Sequence, residues 1–200
     1  SADRVVLALP VFIAARLLAA PPEALQAVAA QARYAPWLVA NLHLGESLLE
    51  RVGVPAAWDS VPYGGTSLGY VDAMHQSMRP HAGPTVLTAY VALPVADRGA
   101  LLADDWRPWA RRVIGDLAPQ HPDLPDKLRR IDLMRYGHAM RVPLPGTRSS
   151  AAHQALVRLP GRMTLAHADL AGYSVFEEAY TLGMHVGFSV AQALGRPRRG

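Results

Sequence analysis

Cysteine is missing from all 200 residues. That absence removes disulfides, cysteine-ligated zinc, iron–sulfur clusters and thiol nucleophiles together, and it fits a cytoplasmic protein. Lysine is almost missing too: Lys127 is the only one, so the net charge of +4 comes almost wholly from arginine. The arginines are dispersed apart from Arg196-Pro-Arg-Arg199 at the tail. A nucleic-acid binder concentrates its charge on one face or arm, so these side chains read as a solvated surface and no nucleic-acid partner is expected. No apolar run is long enough to span a bilayer. Val5 to Ala20 is apolar but interrupted by Pro10 and Arg16, which predicts a buried strand and a turn; it lacks the basic start and the cleavage site of a signal peptide.

Several chemical motifs are also absent. There is no G-x-S-x-G elbow, no G-x-x-x-x-G-K-[ST], no G-x-G-x-x-G and no H-E-x-x-H. The eight histidines, at 43, 75, 81, 121, 138, 153, 167 and 185, are scattered without an i, i+4 pair or an acidic cluster, so no metal site is expected. His75 and His138 stand out because each ends a predicted strand beside a loop, where pocket residues gather.

What is present is half apolar, enough for one domain of ordinary size with a sizeable core. Val5-Val-Leu-Ala-Leu9 is a continuous apolar run ended by Pro10 and predicts a fully buried strand. It comes abruptly, as if in the middle of a domain. Pro22 to Gln31 predicts a helix with proline in its first turn. Trp37–Leu44, Leu68–His75, Thr85–Leu93 and Ile131–Tyr136 predict strands, with 79–84 joining the second and third as a wide hairpin. Trp58 to Gly65 reads as a loop. Trp106, Trp109, Val113 and Leu117 recur at helical spacing behind Asp104 or Asp105 as cap. Pro122 to Leu128 predicts one short helical turn, and Ala151 to Val157 a short helix. The middle, about 35 to 145, reads as an antiparallel sheet with helices packed on it; the two ends read as pieces of an α/β layer.

One stretch near the C-terminus has the most explicit local signals. Arg162 to Ala168 predicts a strand, Asp169 to Tyr173 a tight loop, and Ser174 with Glu177 a capping box opening a helix that Gly195 and Pro197 stop. Phe176, Ala179, Tyr180, Gly183, Gly187, Val190 and Leu194 recur along it. A helix start fed by a glycine loop can hold an anion or a polar cofactor edge. A well-capped core helix explains the same residues.

This stretch resembles the C-terminal signature of the flavin-containing amine oxidase superfamily. The resemblance is carried by Arg162-Met-Thr-Leu-Ala-His-Ala-Asp169, by Tyr173-Ser-Val-Phe-Glu-Glu178-Ala179 and by Gly183-x-x-x-Gly187. Val5-Val-Leu-Ala-Leu-Pro10 resembles the family's exit from its FAD domain, and Tyr136-Gly-His-Ala-Met-Arg-Val-Pro-Leu-Pro-Gly146 the return to it. The resemblance implies an α+β chain, with an antiparallel-sheet substrate domain (21–150) flanked by partial α/β FAD-domain elements from both ends (1–20 and 151–200). It implies an FAD-dependent oxidoreductase that transfers hydride from a small-molecule substrate to flavin. Ala168, Asp169, Ser174, Val175, Phe176 and Glu177 would be the cofactor-binding residues. The dinucleotide-binding half with its glycine fingerprint is absent, so FAD binding by this chain alone is expected to be weak or nil, and the missing N-terminal half is the implied partner. No catalytic base is identified; Tyr70, His75, Tyr136 and His138 are pocket candidates by position. The alternative is a non-catalytic module of the same layout that binds a small ligand or a protein.

Overall fold

A computed structural model describes residues 2–50, 53, 57–77 and 83–195. In chain order its elements are β1 (Val5–Leu7), α1 (Val11–Leu17), α2 (Glu23–Gln31), β2 (Tyr34–Leu44), β3 (Asp59–Ser60), β4 (Tyr70–Asp72), β5 (Thr85–Ala92), α3 (Arg98–Ala103), α4 (Trp106–Leu117), α5 (Leu124–Lys127), β6 (Leu128–Arg141), α6 (Ala151–Val157), β7 (Met163–Leu165) and α7 (Phe176–Ala193). The fold is α+β. Two compact units divide it: residues 1–34 with 140–200, and residues 35–139. The chain leaves the first unit within β2 and re-enters it within β6.

The second unit is built on a five-stranded antiparallel sheet in the order β3-β4-β5-β2-β6. Strict alternation makes it two-faced. On β2 and β5, Leu38, Ala40, Leu42, Leu44, Leu87, Ala89 and Val91 point inward and are buried. Leu101 of α3, Trp109, Val113 and Leu117 of α4, and Leu124 of α5 pack on that face. Helix α4 forms as its sequence dictates: the Asp105 carboxylate accepts from the Arg107 amide, and Trp109, Val113 and Leu117 bury one stripe. Gly69 precedes β4 at φ +77°, and a Cβ there would lie 1.9 Å from the Ser60 carbonyl oxygen, so no other residue fits.

The first unit pairs β1 with β7 in parallel, Val6 opposite Thr164. Leu7, Val11, Leu25, Val28, Leu156, Leu165 and Leu170 form its core.

Several expectations need correction. The first strand stops at Leu7 and is buried only there: Val5 and Val6 are 42% and 43% exposed, because β7 is the only described strand beside it. The apolar run continues past Pro10 as helix α1 rather than a turn, since proline closes a strand and suits a helix start equally well. The 58–65 loop contains β3, paired to β4. The strand around Tyr70 ends at Asp72, whose carboxylate accepts from the Met74 amide and turns the chain into a 3-10 turn holding His75. Strand β6 runs on to Arg141, so His138 lies inside it, not at its end. The 79–84 connection up to residue 82, His81 and the Arg196–Arg199 tail lie outside the described residues.

Candidate functional site

The loop between β7 and α7 is organised by one buried carboxylate. Asp169 has no accessible surface. Its Oδ2 accepts from the Val11 amide at 2.8 Å and from the Tyr34 hydroxyl, 158 and 135 residues away in sequence. It therefore caps the start of α1 and ties that helix to the start of β2. The Asp169 amide donates to His167 Nδ1 at 3.1 Å, and the buried Arg141 guanidinium donates to the Asp169 carbonyl at 3.0 Å. Oδ1 has no hydrogen-bond donor among the described residues; the His167 Nδ1 lies 3.5 Å away and is already accepting from the amide. Burial alone would raise the Asp169 pKa; the His167 ring, the Tyr34 hydroxyl and the Val11 amide together outweigh it and hold the carboxyl below its ordinary 3.8. Burial first, and the Asp169 carboxylate second, push the Tyr34 phenol up.

From Asp169 the chain makes a 3-10 turn ended by Gly172 at φ +87°, then opens into α7. The expected capping box does not form. Ser174 Oγ accepts instead from the Arg141 amide at 2.9 Å, and Val175 takes the N-cap position with no side-chain hydrogen bond. The first-turn amides of α7, Phe176 to Glu178, consequently receive no side-chain cap among the described residues. Glu178 is drawn back to the Tyr173 hydroxyl at 2.7 Å, which raises the Tyr173 pKa.

The 18-residue α7 has no buried residue at all. It meets the core of its unit through Leu182. Phe176 and Tyr180 stack at 5.8 Å and are 75% and 58% exposed, and a Cβ on Gly183 or Gly187 would meet only open space.

The four pocket candidates do not converge. Tyr70 pairs in register with the inward Ala89, is buried on the helix-covered face, and bonds His121 Nε2 at 2.7 Å. His75 sits in its 3-10 turn with its ring 5.5 Å from that of Trp58. Tyr136 and His138 lie on β6 at positions alternating with Gly137, which faces Leu102 of α3, so both take the sheet face away from the helices. On that open face the structure adds a pair that sequence reading passed over: His43 Nε2 to Asp132 Oδ2, 2.8 Å. Only the alternation of β2 marked His43 as sharing a face with Trp37, Val39 and Asn41; its partner is 89 residues away.

Among solved structures, cyclohexylamine oxidase from Brevibacterium oxydans IH-35A superposes with a TM-score of 0.72 at 15% identity, over 96% of this chain and 43% of that one. The fold is that of part of a flavin amine oxidase. A putrescine oxidase triple mutant redesigned in its cofactor binding superposes at 0.67 and 14% identity, over 96% and 43% of the two chains. A protein from Exiguobacterium sp. 255-15 assigned as a protoporphyrinogen oxidase superposes at 0.55 and 16%, over 92% and 41%. This chain thus spans less than half the length of the amine oxidase structures it matches. No family model and no curated protein sequence matches it.

A flavin would fit these residues at one end. An uncapped start on a long helix leaves amides for an electron-rich ring edge, and Gly183 and Gly187 leave room beside it. The Asp169 carboxylate has no surface to offer; it acts through the loop backbone it holds. No described helix is long and apolar enough to cross a membrane.

Proposed function

We propose that the chain is the substrate domain and closing helix of an FAD-dependent oxidoreductase of amine oxidase type, completed by a dinucleotide-binding half that carries the glycine fingerprint. The observation that carries this reading is α7, a largely apolar helix of 18 residues with no buried residue; β1, whose Val5 and Val6 are half exposed, adds to it. Apolar helix faces and parallel strands are stable when covered on both sides. The likeness to the amine oxidase fold supports reading that cover as the rest of an FAD domain and the flavin itself.

When bound, the flavin would supply the acceptor for a hydride from a C–N or C–C bond of a small-molecule substrate. The chain's own residues would position and polarise. The amides of Phe176 and Glu177, behind Val175, would face the ring edge where negative charge gathers, a stabilisation that needs no reorganisation. Ala168 and Asp169 would fix the approach of the loop, since the Asp169 carboxylate anchors it to Val11 and Tyr34. Ser174 would hold the helix start to the end of β6 through the Arg141 amide. Unit two would present the substrate, with Tyr136 and His138 on its open face.

The test is colour. The chain expressed with excess FAD should stay colourless, and the chain completed by a strand–GxGxxG–helix half should turn yellow. Tight FAD binding by these 200 residues alone, or a colourless completed protein, would defeat the proposal.

A further inference from the structure

Among the described residues, the helices that pack on the second unit's sheet, α3, α4 and α5, lie on one face of it. The open face is neither bland nor randomly polar. On β2 and β5 it carries Trp37, Asn41, His43, Val86, Thr88 and Tyr90, all partly buried. Trp37 and Tyr90 meet edge to face at 6.4 Å, and Thr88 donates to Asn41 Oδ1 at 2.9 Å. Toward the other end His43 Nε2 meets Asp132 Oδ2 at 2.8 Å, while Arg130 Nε donates to Oδ1 of the same carboxylate at 2.8 Å.

This carboxylate has two jobs. Because it accepts hydrogen bonds only, it places the neutral imidazole's proton on Nε2 and leaves Nδ1 as a bare acceptor. Nδ1 makes no hydrogen bond among the described residues, and the side chain is 39% accessible. Arg130 holds the carboxylate's other oxygen, so a cation arriving at this end meets an acid already neutralised and a basic nitrogen still available. The charged groups near His43 are Asp132, behind it Arg130, and Arg129, whose guanidinium lies against Gly45 two residues along the same face; the residue opposite His43 on β5 is the uncharged Val86.

We propose that His43 is the proton-accepting residue for an amine-class substrate lying along this face, with Asp132 as the residue that positions it; the proposal rests on the function argued above. The step is a simple proton transfer. The substrate's N–H bond breaks, its electron pair stays on nitrogen, and the proton joins the lone pair of His43 Nδ1, while Nε2–H remains on Asp132. The resulting imidazolium keeps its Nε2–H bond to Asp132 Oδ2, on a carboxylate that it shares with Arg130. The apolar part of the substrate would lie toward Tyr90, which stands opposite Val39, four residues along β2 from His43 and so about 13 Å away.

Two measurements test it. Nitrogen-15 NMR of this chain should find neutral His43 protonated at Nε2, with the preference lost in Asp132→Asn; the opposite tautomer in the wild type overturns the proposal whatever the enzyme does. In the flavin-bound completed protein, His43→Gln should slow anaerobic reduction by an alkyl or benzyl amine about a hundredfold, leaving the flavin spectrum unchanged. It should also abolish the acid limb of kcat/KM, which Asp132→Asn should move to lower pH. Normal reduction with an unaltered limb in His43→Gln overturns this proposal alone. A wild type that binds flavin but is reduced by no amine overturns the function on which it rests.

Discussion

Replacing Asp169 should loosen the first unit in a graded way. Its Oδ2 takes two buried hydrogen bonds, from Val11 N–H and Tyr34 O–H, and both donors are removed from solvent. Asp169→Ala removes the acceptor of both bonds. At about 1.5–3 kcal/mol for each bond to a charged group, less some relaxation, the loss should be about 4 kcal/mol. Asp169→Asn keeps an oxygen for the two donors and loses the charge, so about 2 kcal/mol is expected. With a urea slope of about 2 kcal/mol/M, the alanine midpoint falls by about 2 M. All four tryptophans lie in the second unit, so fluorescence would miss the effect. Amide exchange at Val11 reads it directly, accelerated about a thousandfold in the alanine variant. The pH dependence has a definite sign. The folded carboxyl titrates below its ordinary 3.8, so its stabilisation is present above that pH and lost as pH falls through the folded value. Wild type and Asp169→Asn should therefore differ at neutral pH and converge in acid. An alanine variant within about 0.5 kcal/mol of wild type, or an asparagine variant worse than alanine, would refute the reasoning.

The glycines give a contrasting pair. Gly69→Ala forces a Cβ onto the Ser60 carbonyl at positive φ and should cost about 3 kcal/mol in urea unfolding. Gly183→Ala meets open space on an exposed helix face and should stabilise the isolated chain by about 0.8 kcal/mol, while weakening flavin incorporation in the completed protein. Asp105→Ala removes the cap of α4 and should lower stability by about 1 kcal/mol, read by tryptophan fluorescence through Trp109. Leu42→Ala, in the middle of the sheet core, should cost about 3 kcal/mol by the same assay.

Where a local rule and the tertiary structure agree, the sequence was readable. Asp105 followed by Trp109, Val113 and Leu117 marks α4 unambiguously, and the alternation of β2 and β5 marks two strands with one buried face. Helix α1 was hidden because an apolar run ending at a proline reads the same whether the proline closes a strand or opens a helix. Strand β6 was underestimated because both its faces are partly exposed, so Arg135, Tyr136 and His138 break the alternation that a one-sided strand would show. The capping box failed for a reason no local pattern holds: the Ser174 hydroxyl is taken by the Arg141 amide, 33 residues away. The site divides likewise. Asp169 and the helix start could be singled out by the likeness of their stretch to the amine oxidase signature, but the carboxylate's partners at Val11 and Tyr34, and the pairing of His43 with Asp132, exist only once distant segments are folded together.

The central claim is that the start of α7 faces a flavin, and amide exchange at Phe176, Glu177 and Glu178 tests it most directly. In the completed protein these three amides should exchange slowly with FAD bound and quickly without it, while Val190, far along the same helix, changes little. Equal exchange in the two states, with the flavin demonstrably bound, would contradict it.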